Sequence, residues 1–207
     1  MTGNGHTHHK TAFFDQHAAH WDAETPEDMP QRLSRVVRAA RLQPGARVLD
    51  VGSGTGVLIP AVLAAVGESG WVVALDISAE MLKRAREKGY GANVSWILGD
   101  AQRIGVRNAV FDAVFCNAAL PHFNCKEAAL AELARVLRPG GVLIISHPIG
   151  REAVNRLHRE AGGPVREDRV PPPALLSRWL QQNGLTVAQM VDEPDFFLTA
   201  AHKPMAR

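Results

Sequence analysis

Three glycines and an aspartate mark the first place in the chain where chemistry could occur. Gly52, Gly54 and Gly56 follow Asp50 within the segment Arg47–Leu58. Glycines in such a turn allow backbone angles that a Cβ forbids, and they let a ligand approach the main chain closely. The apolar run that follows has helical length, and the first N–H groups of a helix attract polar or anionic atoms. The pattern predicts a nucleotide or nucleoside site at the carboxyl end of a first strand.

The spacing of the glycines separates the classes of nucleotide site. A dinucleotide fingerprint needs Gly-x-Gly-x-x-Gly, but Val57 stands where the last glycine should be. No Gly-Lys-Ser/Thr ending follows, so a P-loop is also disfavoured. A turn that needs glycine for its geometry alone remains an alternative.

A second candidate acid follows the next apolar run. Trp71–Leu75 reads as a strand and delivers Asp76, which lies twenty residues beyond Gly56. In a parallel βαβ unit this is about where a carboxylate binds both ribose hydroxyls. Ser78 is expected to cap the following helix, which leaves Asp76 free for a ligand.

Hydrophobic periodicity predicts the elements that must position these groups. Five apolar strands separated by crossovers are followed by a polar, Pro/Gly-rich stretch, a helix and a terminal hairpin. We therefore predict an α/β fold: a doubly wound, mostly parallel seven-stranded Rossmann-like sheet with helices on both faces and a C-terminal antiparallel hairpin. The predicted strands are Arg47–Val51, Trp71–Leu75, Asn93–Leu98, Phe111–Asn117, Val142–Ser146, Leu185–Val191 and Phe196–His202.

The Asp-x-Gly-x-Gly-x-Gly turn resembles motif I of the class I S-adenosylmethionine-dependent methyltransferases. Stretches similar to motifs II, III and IV and to the Arg-Pro-Gly-Gly turn before strand five follow in that family's order, between about residues 30 and 147. The resemblance implies that the enzyme moves a methyl group from S-adenosyl-L-methionine to an acceptor by in-line displacement. It also implies a set of cofactor-binding residues, namely Asp50, Gly52, Gly54, Gly56, Asp76, Ile77, Asp100, Ala101 and Asn117.

The N-terminal helix predicted over Thr11–Asp22 is similar to the opening of the quinone-methylase-like (methyltransferase type 11) branch. In that branch an aromatic-Asp pair lies on a helix that folds over the cofactor as a lid. Phe14-Asp15 and Trp21-Asp22 occupy those places here. The resemblance does not identify the acceptor, and the arsenite-methylating branch would need more cysteines than this chain carries.

Composition sets the broad class. The chain has 207 residues, 46% of them apolar, and a formal net charge of +2, which is too small to indicate a nucleic-acid partner. Two cysteines cannot form a disulfide framework. No apolar run reaches membrane-spanning length, so we expect no membrane span and a cytoplasmic protein. We further expect a small-molecule acceptor, no nucleic-acid partner, and a homodimer as the assembly.

Histidines are the candidates for the reaction itself. His122 follows the fourth strand and His147 ends the fifth, so both should project toward the edge where the transferable methyl lies. His20 lies on the lid helix. We predict that these three rings converge on the acceptor as base, orienting donors or metal ligands, with no dedicated metal site assigned. Taken singly, each could equally be an isolated surface or hydrogen-bonded histidine.

Two other functions stay open. The histidines could serve a metal- or small-ligand-binding protein on a methyltransferase scaffold, and a nicotinamide oxidoreductase is disfavoured by Val57. The predicted organisation is a disordered leader over residues 1–10 and one methyltransferase domain over residues 11–207. That domain divides into lid helices (11–43), the cofactor-binding core (44–147), a substrate-side insertion (148–173) and a C-terminal helix with the hairpin (174–207).

Overall fold

The computed structural model describes residues 3–23 and 26–205, and the backbone alone of residues 3–8. The strands within these residues are β1 (Arg47–Val51), β2 (Trp71–Asp76), β3 (Val94–Leu98), β4 (Phe111–Asn117), β5 (Leu137–His147), β6 (Thr186–Glu193) and β7 (Phe196–His202). The helices are α1 (Gly3–His17), α2 (Met29–Ala39), α3 (Ile59–Val66), α4 (Ala79–Glu87), α5 (Lys126–Val136), α6 (Arg151–Ala161) and α7 (Pro173–Gln182).

All seven strands form one sheet in the order β3-β2-β1-β4-β5-β7-β6. Strands β1 to β5 run parallel, whereas β7 is antiparallel to both β5 and β6. The predicted fold class is therefore confirmed, including the hairpin. The strand order reverses between β1 and β4, and ligands of open α/β sheets bind at such a switch point.

The sheet is covered on both faces because its central strands alternate between two cores. Val48 of β1 packs in one apolar cluster with Val36 of α2 and Val62 of α3. Its neighbour Leu49 points the other way, into a cluster with Leu133 of α5 and others from α7. This two-sided burial explains why the central strands read as continuous apolar runs.

The N-terminal segment differs from the prediction. The disordered leader was expected over residues 1–10, but α1 begins at Gly3; Met1 and Thr2 lie outside the described residues. The polar sequence gives no local signal for a helix, and the segment is instead held by a long-range contact. Lys10 is bonded to Asp168, far along the chain. Tertiary contacts commonly decide whether a weakly helical segment folds.

The fifth strand is longer than expected. It begins at Leu137 instead of the predicted Val142, and it pairs there with Phe111 before a register shift. No helix in residues 3–23 and 26–205 has the length and apolar character needed to cross a membrane.

Candidate functional site

A cavity of about 140 Å³, partly open to solvent, lies at the carboxyl ends of the parallel strands beneath α1. Most of the predicted cofactor residues line it: Gly52, Gly54, Asp76, Ile77, Asp100, Ala101 and Asn117. Asp50 and Gly56 do not. Side chains that motif analysis left out contribute as well, including Lys10, Phe14, Trp21 and Phe123.

The three glycines of the turn have different surroundings. All three have positive φ values, at which the backbone of a residue with a Cβ is strained. A Cβ added to Gly54 would meet no protein atom within 4 Å, whereas one at Gly52 would lie 2.3 Å from the Cβ of Ala119. A Cβ at Gly56 would lie 2.9 Å from the ring of Tyr90. Gly54 therefore borders open cavity space, while the other two glycines permit close packing of the protein itself.

Asp76 holds the glycine turn in place. Its Oδ2 accepts a hydrogen bond from the backbone N–H of Gly54 at 2.7 Å, and its Oδ1 accepts one from the N–H of Ser78 at 2.9 Å. Burial raises the pKa of this carboxyl, against the opposing effect of these N–H donors. Each oxygen can accept a further hydrogen bond, so Asp76 can hold the turn and a ligand hydroxyl together.

Asp50 lies behind the turn and is only 2% exposed. Neither its Oδ2 nor the hydroxyl of neighbouring Ser53 finds a hydrogen-bond partner in the described part of the chain. Burial, with a further contribution from the charge of Asp76, raises the pKa of Asp50 to about 7. Buried polar groups normally have partners, and Ser53, unlike Asp50, also lines the cavity, so its hydroxyl marks a place for a polar ligand atom.

Asp100 and Asn117 are both engaged locally. The Asp100 carboxylate accepts from the backbone and side-chain N–H groups of Gln102. The amide oxygen of Asn117 accepts from the hydroxyl of Ser146 at 2.9 Å. The next residue, Ala118, has φ +55, so its backbone is strained where it lines the cavity.

The N-terminal segment is fixed to the glycine-turn side of the cavity by two acids. Asp15 on α1 accepts from the hydroxyl of Ser78 at 2.5 Å. Asp22, on the turn after α1, accepts from the hydroxyl of Thr55 at 2.6 Å. These are the two acids of the aromatic-Asp pairs, and here they bond to the glycine turn and to the helix cap after β2.

Of the three candidate catalytic histidines, His122 lines the cavity. Its Nδ1 lies 2.7 Å from Oδ2 of Asp168. Its ring centroid is 5.0 Å from that of Phe14, in an edge-to-face arrangement, and 4.8 Å from that of His158.

The other two histidines are placed differently from the prediction. His147 is buried at the end of β5, its Nε2 has no hydrogen-bond partner among the described residues, and it does not line the cavity. Burial, followed by the nearby charges of His122 and His158, lowers its pKa to about 3, so this ring is neutral. His20 is exposed on the turn after α1 and is not part of the cavity lining. The expected convergence of all three rings on the cavity is corrected accordingly: one ring lines it, one lies buried outside the lining, and one faces solvent.

Two residues beside His122 were missed by sequence reasoning. Asp168 lies in the irregular stretch after α6, and Lys10 lies in the predicted leader. Neither belongs to a motif, and nothing in the local sequence connects them with His122. Only the contact in space could have identified them.

Comparison with known proteins agrees with this geometry. A family model described as a methyltransferase domain matches residues 48–141. The chain is 34% identical to the ubiquinone/menaquinone biosynthesis C-methyltransferase UbiE of Hahella chejuensis over 146 residues, which are 66% of this chain and 58% of that protein. Across the curated relatives that it matches, the chain spans about half of their length.

Two solved structures resemble most of the chain in their fold. A SAM-dependent methyltransferase from Aquifex aeolicus is 28% identical with a TM-score of 0.67, covering 83% of this chain and 92% of that one. A chain in the complex of the Haloferax volcanii Trm112 methyltransferase activator with a methyltransferase has a TM-score of 0.78 at 21% identity, covering 92% and 97%. The second likeness concerns the fold alone.

Proposed function

Because the chain belongs to the class I S-adenosylmethionine-dependent methyltransferases, we propose that it transfers a methyl group from S-adenosylmethionine to a small-molecule acceptor bound beneath α1. One observation carries this proposal. A single cavity is lined by the motif residues Gly54 and Asp76 and by the aromatic rings of Phe14 and Trp21. Cofactor and acceptor can therefore meet in one cavity.

The residues of the cavity fit the cofactor. Asp76 retains acceptor capacity for ribose hydroxyls. The hydroxyl of Ser53, which lines the cavity and has no hydrogen-bond partner among the described residues, is suited to polar ligand atoms close to the turn. The open space at Gly54 allows a ligand to approach the main chain. The sulfonium methyl of the bound cofactor is already activated, so the protein's task is to orient the acceptor and exclude water.

The cover over the cavity supports a small acceptor. α1 and the turn after it overlie the glycine turn through Asp15 and Asp22, which restricts access by a bulky chain. The names of the curated relatives, which are quinone-biosynthesis C-methyltransferases, support one narrower candidate, carbon methylation of a quinone precursor. The aromatic rings of Phe14 and Trp21 suit a flat acceptor of that kind.

The metal-binding alternative finds no support in the geometry. Among the described residues there is no group of three or more His, Cys, Asp or Glu side chains that could hold a metal ion.

Cofactor binding is tested at Asp76. We expect Asp76→Ala to weaken binding of S-adenosylmethionine and S-adenosylhomocysteine by at least about tenfold, since a hydrogen bond to a charged group contributes roughly 1.5–3 kcal/mol. Calorimetry measures the affinity, and circular dichroism shows whether the fold persists. Glu87→Gln, which alters an exposed acid outside the cavity, is the matched control. Unchanged affinity in Asp76→Ala would remove Asp76 from the cofactor site.

The acceptor class is tested by transfer of a radiolabelled methyl group. The enzyme is incubated with labelled S-adenosylmethionine and three separate pools: small metabolites including quinone precursors, transfer RNA, and total protein. Label in the first pool alone is expected. Label in RNA or protein would overturn the small-molecule assignment while leaving the family assignment intact.

A further inference from the structure

Three distant segments meet at the cavity wall around one carboxylate. Asp168, in the stretch between α6 and α7, binds the Nδ1 of His122 through one oxygen at 2.7 Å and the Nζ of Lys10 through the other at 2.5 Å. Lys10 also donates to the backbone carbonyl of His122 at 3.0 Å. Both the ring and the main chain of His122 are thereby fixed.

This arrangement sets the tautomer of His122. A carboxylate can only accept, so Nδ1 carries the hydrogen that lies between the ring and Asp168. In the neutral ring the second nitrogen, Nε2, then carries no hydrogen and can accept a proton. The side chains of His122 and Asp168 are 14% and 8% exposed, so the pair is largely shielded from water.

The surroundings keep Asp168 ionised. Burial opposes ionisation, but hydrogen bonds from His122 and Lys10 hold the pKa of Asp168 below its usual value. Four other titratable groups lie near the pair. The Nδ1 of His158 lies 3.1 Å from the backbone carbonyl oxygen of Asp168, Arg169 donates to that same oxygen, and Lys126 and the buried His147 are also close. Burial, followed by the charge of His122, lowers the pKa of His158, so His158 adds no positive charge beside His122 near neutral pH.

Building on the function proposed above, we propose that His122 is the proton acceptor of the reaction, and that Asp168 and Lys10 are its positioning residues. The acceptor atom forms a bond to the methyl carbon while the carbon–sulfur bond breaks and its electron pair stays on sulfur. The proton released by the acceptor passes to Nε2 of His122, and the resulting imidazolium is balanced by Asp168. The acceptor is thus a group that enters the cavity carrying a proton, such as a hydroxyl, a protonated nitrogen or an activated carbon acid.

The position of Lys10 ties this base to the N-terminal helix. α1 carries Lys10, which completes the His122 cluster, and Asp15, which bonds to Ser78 beside the cofactor motif. The same helix therefore fixes both sides of the cavity. The base has its full set of contacts only when α1 is docked.

The first test needs no acceptor. In protein labelled with 15N-histidine and saturated with S-adenosylhomocysteine, the nitrogen shifts of His122 report which ring nitrogen carries the hydrogen. We expect the Nδ1–H form in the wild type, and loss of that preference in Asp168→Asn and, to a smaller extent, Lys10→Met. Lys83→Met, which removes another lysine paired to an acid, is the control. An Nε2–H form in the wild type, unaffected by Asp168→Asn, would overturn the proposal.

The second test uses the acceptor identified by methyl transfer. His122→Ala should lower kcat by about 100-fold or more, the scale of general-base catalysis. The affinity for S-adenosylhomocysteine should change less than about threefold, because the base serves only the transfer step. Asp168→Asn should lower kcat and shift the acid limb of its pH profile, with Asp168→Glu restoring part of the rate. His202→Ala, on β7, is the control.

The two proposals fail separately. If S-adenosylhomocysteine does not bind the wild type, the proposed function is wrong. If it binds and methyl transfer proceeds, but His122→Ala keeps kcat within about threefold of wild type between pH 6 and 8, only the base assignment is wrong.

Discussion

Two neighbouring carboxylates show how surroundings divide the work between similar side chains. Both Asp50 and Asp76 are buried. The oxygens of Asp76 accept from Gly54 and Ser78, so part of its desolvation is compensated by hydrogen bonds. Oδ2 of Asp50 has no such partner within the described residues, and its pKa reaches about 7. An unpartnered buried carboxyl costs stability once it ionises.

This cost predicts a pH dependence of stability. The pKa of Asp50 is raised from 3.8 in the unfolded chain to about 7 in the fold, so the native state holds its proton more tightly. Asp50 therefore makes its full contribution to the free energy of unfolding below pH 4. This contribution is lost as the pH rises through 7, at roughly 1.4 kcal/mol for each pH unit between the unfolded and folded pKa values. Asp50→Asn should remove this loss, and urea unfolding at pH 5 and pH 8 measures it. The same pH slope in wild type and Asp50→Asn would contradict the prediction, and Glu87→Gln should match the wild type.

At the scale of elements, the turn after β1 combines two uses of glycine. Gly52 allows Ala119 to pack against the turn, whereas Gly54 leaves open space at the cavity. Sequence spacing cannot separate these uses, because every glycine of the motif looks alike in the chain. The packing around each position decides it.

A comparison of alanine substitutions tests this division. Gly54→Ala should lower the affinity for S-adenosylhomocysteine by at least about tenfold, since its methyl group would project into the cavity, while unfolding becomes easier by only about 1–2 kcal/mol from the strained backbone. Gly184 provides a matched control, with φ +74 at the end of α7, no neighbour within 4 Å among the described residues and a position outside the cavity. Gly184→Ala should show a similar loss of stability with unchanged affinity. Equal affinities in both variants would reduce Gly54 to a turn residue.

For the whole molecule, the N-terminal helix connects regions that are far apart in the chain. The helix contacts Ser78 on one side and Asp168 on the other, and the turn after it contacts Thr55, through hydrogen bonds and an ion pair. Such contacts are exchangeable with water, so a helix held by them opens more readily than one buried in a core.

That residues 11–207 form one domain and that the protein is a homodimer stay predictions.

Ligand binding should therefore protect α1. We expect its backbone amides to exchange with solvent faster than those of α5 in the free protein, and to slow by about tenfold or more with S-adenosylhomocysteine bound. Hydrogen-exchange mass spectrometry measures both states. Asp22→Asn should reduce the protection, whereas Asp28→Asn, in an exposed pair with Arg32, should not. Equal exchange of α1 with and without ligand would show that the helix does not respond to the cofactor.

The sheet and the glycine-turn side of the cavity could be predicted from the sequence alone. Apolar periodicity is local, and the carboxyl ends of parallel strands necessarily share one edge, so the turn at Gly54 and the acid Asp76 could be placed together from spacing alone. The side of the cavity around His122 could not be predicted in this way. Lys10 and Asp168 are 158 residues apart, and neither carries a local pattern. Only tertiary structure brings them to His122 and leaves His20 in solvent, because side-chain pairing across such separations depends on how whole helices and loops pack.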